Sequence, residues 1–149
     1  NMCVQSIGYE QTERMQDKLF DKAVKEIDEL KIPSVAMNQI NEPLLDKKIF
    51  EKIEKISSIE TVVDIHMNTN GVLLNKKNSE KLLSSNLTRL LIGFDGFSKE
   101  IYEKVRERAD YDQVMNNIIN FLEMKKFDVD LTFFLHHTHR MPSHHLQAL

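Results

Sequence analysis

The sequence predicts an α/β protein, a parallel sheet with helices alternating between its strands. Apolar runs of strand length alternate with segments whose apolar residues fall at helical spacing. Strands recur roughly every thirty to forty residues, which implies parallel pairing through right-handed crossovers. Three polar motifs, Asn41–Leu45, Thr69–Leu74 and Gly93–Gly96, each stand where an apolar run stops and a helical pattern begins. In a parallel α/β fold that edge is where ligands bind.

The elements follow in order. From Gln16 to Leu30, apolar residues at Leu19, Phe20, Ala23, Val24, Ile27 and Leu30 predict a helix, which Pro33 breaks. Ser34–Met37 reads as a short buried strand. Pro43 is suited to open the next helix, with Leu45, Ile49, Ile53 and Ile56 on one face. Thr61–Met67 is β-rich and ends at the turn Asn68–Gly71. A helix follows over Ser79–Ser85, then the apolar strand Leu90–Phe94, stopped by Asp95-Gly96. Ser98 is a candidate N-cap with Ile101, Tyr102 and Val105 behind it. Asp110 would cap a further helix that buries Val114, Met115, Ile118 and Leu122. Asp128–Leu135 reads as the last strand, completing αβαβαβαβ.

The 149 residues, 41% of them hydrophobic, suffice for one domain core. A formal charge of −3 makes no electrostatic case for nucleic acid or an anionic membrane. No apolar stretch in these residues is long enough to span a bilayer, and they show no secretory signal pattern. One cysteine, Cys3, excludes an internal disulfide and fits a cytoplasmic protein. The first residue is Asn1, which suggests a fragment or a processed chain. Five of the six histidines fall within residues 136–145, in an irregular tail, 136–149, without helical or strand period. One reading of that tail is a nickel or zinc site; a fragment boundary or frame disruption is the favoured one.

The residues themselves define a candidate pocket. Four segments share the predicted rim: the Gln39–Glu42 loop, the Asn68–Gly71 turn, the Gly93–Gly96 turn and the residues after Leu135. Asn41, Thr69, Asn70 and Asp95 would supply hydrogen-bond partners there, and Glu42 a charge. Each feature alone has a plainer reading. Asn-Gly and Asp-Gly are usually turns, Glu42-Pro43 suits a helix start, Arg106 suits a solvated helix face, and His66 suits core or rim equally. Their co-occurrence at one edge favours a site for a small polar ligand.

Taken in order, Glu42-Pro43-Leu44-Leu45, Thr69-Asn70-Gly71-Val72-Leu73-Leu74, Ile92-Gly93-Phe94-Asp95-Gly96, Ile101–Arg106 and Val114…Asn117-Ile118 resemble the radical S-adenosylmethionine (radical SAM) superfamily. The likeness is to the branch that often carries a C-terminal SPASM-type cluster domain. It covers roughly residues 1–133 and implies a fragment of a partial (β/α)6 TIM-like barrel, with a radical SAM core over residues 1–135. By this resemblance Cys3 would be the third cysteine of a C-x-x-x-C-x-x-C motif holding a [4Fe–4S] cluster. The other two would lie seven and three residues earlier. The plainer reading of a lone cysteine is an unremarkable thiol.

The family's Gly-Gly-Glu-type segment would fall on Ile40-Asn41-Glu42, without its glycines. Its Ser-x-Asp-Gly turn matches Gly93-Phe94-Asp95-Gly96, without the serine. Arg106 matches an arginine that pairs with the cofactor carboxylate in some members. The implied chemistry is reductive cleavage of S-adenosylmethionine to a 5′-deoxyadenosyl radical that abstracts hydrogen from a small-molecule or peptide substrate, with electrons from a flavodoxin or ferredoxin. The chain alone, with one cysteine, is expected to be inactive; the functional expectation concerns its parent. The alternative is a non-catalytic α/β interaction domain whose rim turns are structural.

Overall fold

The computed structural model describes residues 15–38, 41–106, 108–125 and 130–134, the last as backbone. Cys3, residues 39 and 40 of the first rim loop, the ends of the last expected strand and segment 136–149 lie outside the described residues. Four strands, β1 (Ser34–Ala36), β2 (Asp64–Thr69), β3 (Arg89–Gly93) and β4 (Asp130–Phe134), form one sheet in the order β1-β2-β3-β4. Every pair is parallel, with Val35 opposite Ile65, Thr69 opposite Ile92 and Gly93 opposite Phe134.

Sequential order with parallel pairing makes each crossover step the same way, so right-handed connections lay the helices on one face. Burial follows that geometry. Ile65, Met67, Leu90 and Ile92 are buried in one core with Ile53, Ile56, Leu82, Val114, Ile118 and Phe121. The alternate residues Ser34, Asp64, His66, Asn68, Arg89 and Leu91 point the other way and keep some solvent exposure. This is a stretch of wall from a TIM-like barrel with the helices outside, as the resemblance implied; its other face is the more polar one. Among the described residues no helix is long and apolar enough to cross a membrane.

Helix α1 (Asp17–Glu29) ends ahead of Pro33. Lys31 adopts φ 53°, and the Ile32 amide donates to the Ile27 carbonyl while the Lys31 amide donates to that of Asp28. That bond pattern caps the helix with a lysine where glycine is usual. The continuous helix expected from Pro43 does not form. Pro43–Leu45 is a single 3-10 turn, and α2 spans Ile49–Ser57. Asp46 interrupts them, adopting extended backbone and accepting the Lys48 amide at 2.9 Å. Leu45 is therefore 59% exposed, and Leu44 is buried instead.

The second strand starts later than expected, at Asp64, because the Val63 and Asp64 amides both donate to the Pro33 carbonyl before sheet pairing begins. Helix α3 (Lys76–Leu83) begins three residues before Ser79, capped by the Asn75 side chain on the Asn78 amide. Helix α4 (Lys99–Val105) has Ser98 as its N-cap and α5 (Tyr111–Met124) has Asp110, both as expected. On α5 the buried row is Val114, Ile118 and Phe121; Leu122 lies round the helix and is 42% exposed.

Candidate functional site at the sheet rim

The site is built outward from Glu42. Its carboxylate lies just before Pro43 and accepts three donors. Oε1 takes the Thr69 hydroxyl at 2.9 Å and the Leu44 amide at 3.3 Å, and Oε2 takes the Asn70 amide at 2.8 Å. One side chain after β1 thereby fixes the turn after β2. Asn38 makes a parallel bridge, its Oδ1 accepting the Asn68 amide at 2.8 Å, while its Nδ2 donates to the Asn41 carbonyl at 3.3 Å.

The turn itself is wound tight. Buried Thr69 accepts the Gly71 amide on Oγ1, and Asn70 accepts the Val72 amide on Oδ1 at 2.9 Å. The oxygen of Asn70 therefore faces its own turn, and its side-chain Nδ2 has no hydrogen-bond partner among the described residues. Gly71 holds φ +78°, in the left-handed region open to glycine, and a Cβ there would lie 3.0 Å from Val114. From below, Asn117 on α5 donates to the carbonyls of Gly71 and Val72 at 3.0 and 3.1 Å.

The third turn leaves β3 at Gly93. Asp95 is buried, and Arg106, at the end of α4, donates from Nε to its Oδ2 at 2.5 Å. The Arg106 Nη atoms have no hydrogen-bond partner among the described residues, and the side chain keeps 26% of its surface exposed. A Cβ at Gly93 would meet Arg106 Nη2 at 3.0 Å and the Thr69 carbonyl at 3.8 Å. The missing side chain thus gives the guanidinium its seat and brings the second and third turns together. Gly96 allows a closer approach still, since its Cβ would stand 2.6 Å from the Tyr102 amide nitrogen.

Phe94, Tyr102 and Tyr111 support this turn as an aromatic cluster with centroids 4.9–5.7 Å apart. Tyr102 is fully buried, its hydroxyl has no hydrogen-bond partner among the described residues, and burial pushes the phenol above its ordinary pKa.

Five of the six expected cofactor-binding residues thus fall into two hydrogen-bonded groups at the ends of neighbouring strands, Glu42 with Thr69 and Asn70, and Asp95 with Arg106. Asn41 stands beside them, exposed, tied in through its carbonyl. Cys3, expected as a cluster ligand, is outside the described residues. Among those residues, no three His, Cys, Asp or Glu side chains gather as a metal site. One contributor escaped the sequence reading, Asn38; Asn117 stood in the run that carries the resemblance but was given no role there. Asn117 is one of three asparagines on that helix, with Asn116 and Asn120, and spacing alone does not single it out.

The sequence pattern of the Radical SAM superfamily matches residues 1–147, and the chain belongs to that superfamily. A probable GTP 3′,8-cyclase of Methanocaldococcus jannaschii is 38% identical over 91 residues, 61% of this chain and 28% of the relative. A GTP 3′,8-cyclase of Limosilactobacillus fermentum is 30% identical over 92 residues, 60% of this chain and 27% of the relative. The chain thus spans less than a third of the length of the curated relatives it matches. Among solved structures, BtrN in complex with AdoMet and 2-DOIA superposes with a TM-score of 0.59 at 15% identity, covering 88% of this chain and 49% of that one.

Proposed function

We propose that this chain is part of a radical SAM enzyme acting on a purine nucleoside triphosphate, GTP being the substrate suggested by the cyclase relatives. Its rim would bind S-adenosylmethionine, with Cys3 as one ligand of a [4Fe–4S] cluster. The observation that carries this reading is the Arg106 guanidinium. It is fixed through Nε by Asp95, seated over Gly93 and unpartnered at its Nη atoms among the described residues. Two parallel N–H donors held in that way suit a carboxylate such as that of a methionyl group.

When bound, the cluster and S-adenosylmethionine together supply a 5′-deoxyadenosyl radical for hydrogen abstraction. The chain's own residues bind and orient. Glu42 locks the Thr69-Asn70-Gly71 turn, leaving the Asn70 side-chain Nδ2 and Asn41 to contact ligand. Asp95 sets the guanidinium plane. Electrons would come from a small donor such as a flavodoxin or ferredoxin, in a cytoplasmic setting.

The test is anaerobic reconstitution of the full-length protein with iron and sulfide, then dithionite, S-adenosylmethionine and GTP. We expect 5′-deoxyadenosine and consumption of GTP. Release of 5′-deoxyadenosine with GTP untouched would reject the nucleotide substrate. No release at all would reject the radical reading in favour of an interaction domain.

A further inference from the structure

Parallel sheets are usually covered on both faces and read as unbroken apolar runs. Here β2 alternates strictly, and no described helix covers its polar side. On that side stands an oriented histidine outside the rim site. Asp64 Oδ2 lies 3.1 Å from His66 Nδ1 and also accepts Ser34 Oγ and Arg89 Nη2, each at 2.5 Å. Asp64 Oδ1 accepts Arg89 Nε at 3.0 Å and lies 2.7 Å from the Thr88 hydroxyl. These donors, the Arg89 guanidinium first, hold the Asp64 carboxyl well below the usual carboxylate range.

An ionised carboxylate accepts and cannot donate, so the tautomer that turns an Nδ1 proton toward Asp64 presents a lone pair at Nε2; Arg89 Nη2 stands 3.5 Å from the same Nδ1, a longer contact than that to Asp64. No described residue bonds Nε2, and the His66 side chain is 26% exposed. His66 lies three residues before Thr69 on one strand, about 10 Å below the rim. That depth suits a substrate seated inside the wall, beneath a cofactor held at the mouth.

We infer that His66, oriented by Asp64, is a substrate-binding residue whose Nε2 accepts a hydrogen bond from a donor group of the nucleotide. The inference rests on the nucleotide reading above. Ribose hydroxyls and guanine N–H groups are donors of the required kind. Asp64 is a positioning residue.

GTP binding is measured on the reconstituted full-length protein, in the presence of S-adenosylmethionine, for the wild type, His66→Ala and His66→Gln. Loss of one neutral hydrogen bond should weaken GTP about five- to tenfold in H66A. Gln, which can place an oxygen near the Nε2 position, should recover most of it. In parallel, diethyl pyrocarbonate should carbethoxylate His66 in the wild type, and GTP should protect it, read by mass spectrometry. This second readout holds even if the Ala variant folds poorly. Equal GTP affinity in wild type and H66A, or His66 labelling unchanged by saturating GTP, overturns the inference. Failure of the wild type to bind GTP also overturns it. Failure to cleave S-adenosylmethionine is a separate result that instead rejects the radical reading.

Discussion

Glu42 offers the sharpest perturbation, because one carboxylate joins two turns that are distant in sequence. In Glu42→Gln, the amide oxygen can keep Thr69 and Leu44, but the new NH2 then faces the Asn70 N–H, donor against donor. In Glu42→Ala all three donors lose their acceptor. A hydrogen bond to a charged acceptor contributes about 1.5–3 kcal/mol. The 3.3 Å bond to Leu44 is weak and the carboxylate is only half-buried. E42A should therefore cost about 2–4 kcal/mol and E42Q about 1–2 kcal/mol. Urea denaturation gives the stability, and amide hydrogen exchange gives the location. The Asn70 amide should lose protection in both variants, while amides inside β2 and β3 stay as they were. Wild-type stability together with an unchanged Asn70 exchange rate would refute the claim that Glu42 builds the rim.

Four further outcomes are expected. The folded-state pKa of Asp64 is depressed, so its stabilisation is complete above the unfolded carboxylate value of about 4 and is lost as pH falls below it; in urea midpoints from pH 7 to pH 2.5, the gap between wild type and Asp64→Asn should close toward acid. Ile53→Ala, at a fully buried position on α2, should cost about 2–5 kcal/mol in the same assay. Lys31→Gly should raise the melting temperature, since glycine adopts the left-handed cap without the roughly 1 kcal/mol strain a side chain brings. Gly96→Ala should lower it, because the new methyl would stand against the Tyr102 backbone, and near-UV circular dichroism of the aromatic cluster should change with it.

Much of this was legible in the sequence, for identifiable reasons. Ser98 and Asp110 could be read as caps because a side-chain oxygen before an apolar helical stripe has few other uses. The rim was legible because turn residues recur after each apolar run. The break at Asp46 was not, since periodicity joins Leu45 to Ile49 and says nothing of a carboxylate that prefers its local backbone amide. Leu122 and Phe121 are adjacent, and a window of helical spacing cannot separate them without the neighbouring sheet.

Within the site, the sequence pointed to Asp95 and Arg106 separately. Their pairing depends on the path of α4, which Gly96 sets by letting Tyr102 close on the turn. Glu42 was read as a ligand contact, whereas its described partners are Thr69, Asn70 and Leu44. Thr61–Met67 was read only as a β-rich run, and the alternation of Asp64, His66 and Asn68 within it was not singled out. Its meaning emerged once sequential strand order had put the helices on the other face.

Hydrogen–deuterium exchange of the reconstituted full-length protein, with and without S-adenosylmethionine, tests the rim most directly. The account predicts new protection concentrated in segments 41–45, 69–72 and 93–96 and at Arg106. Binding with protection confined to the outer helices, or to only one of those turns, would contradict it.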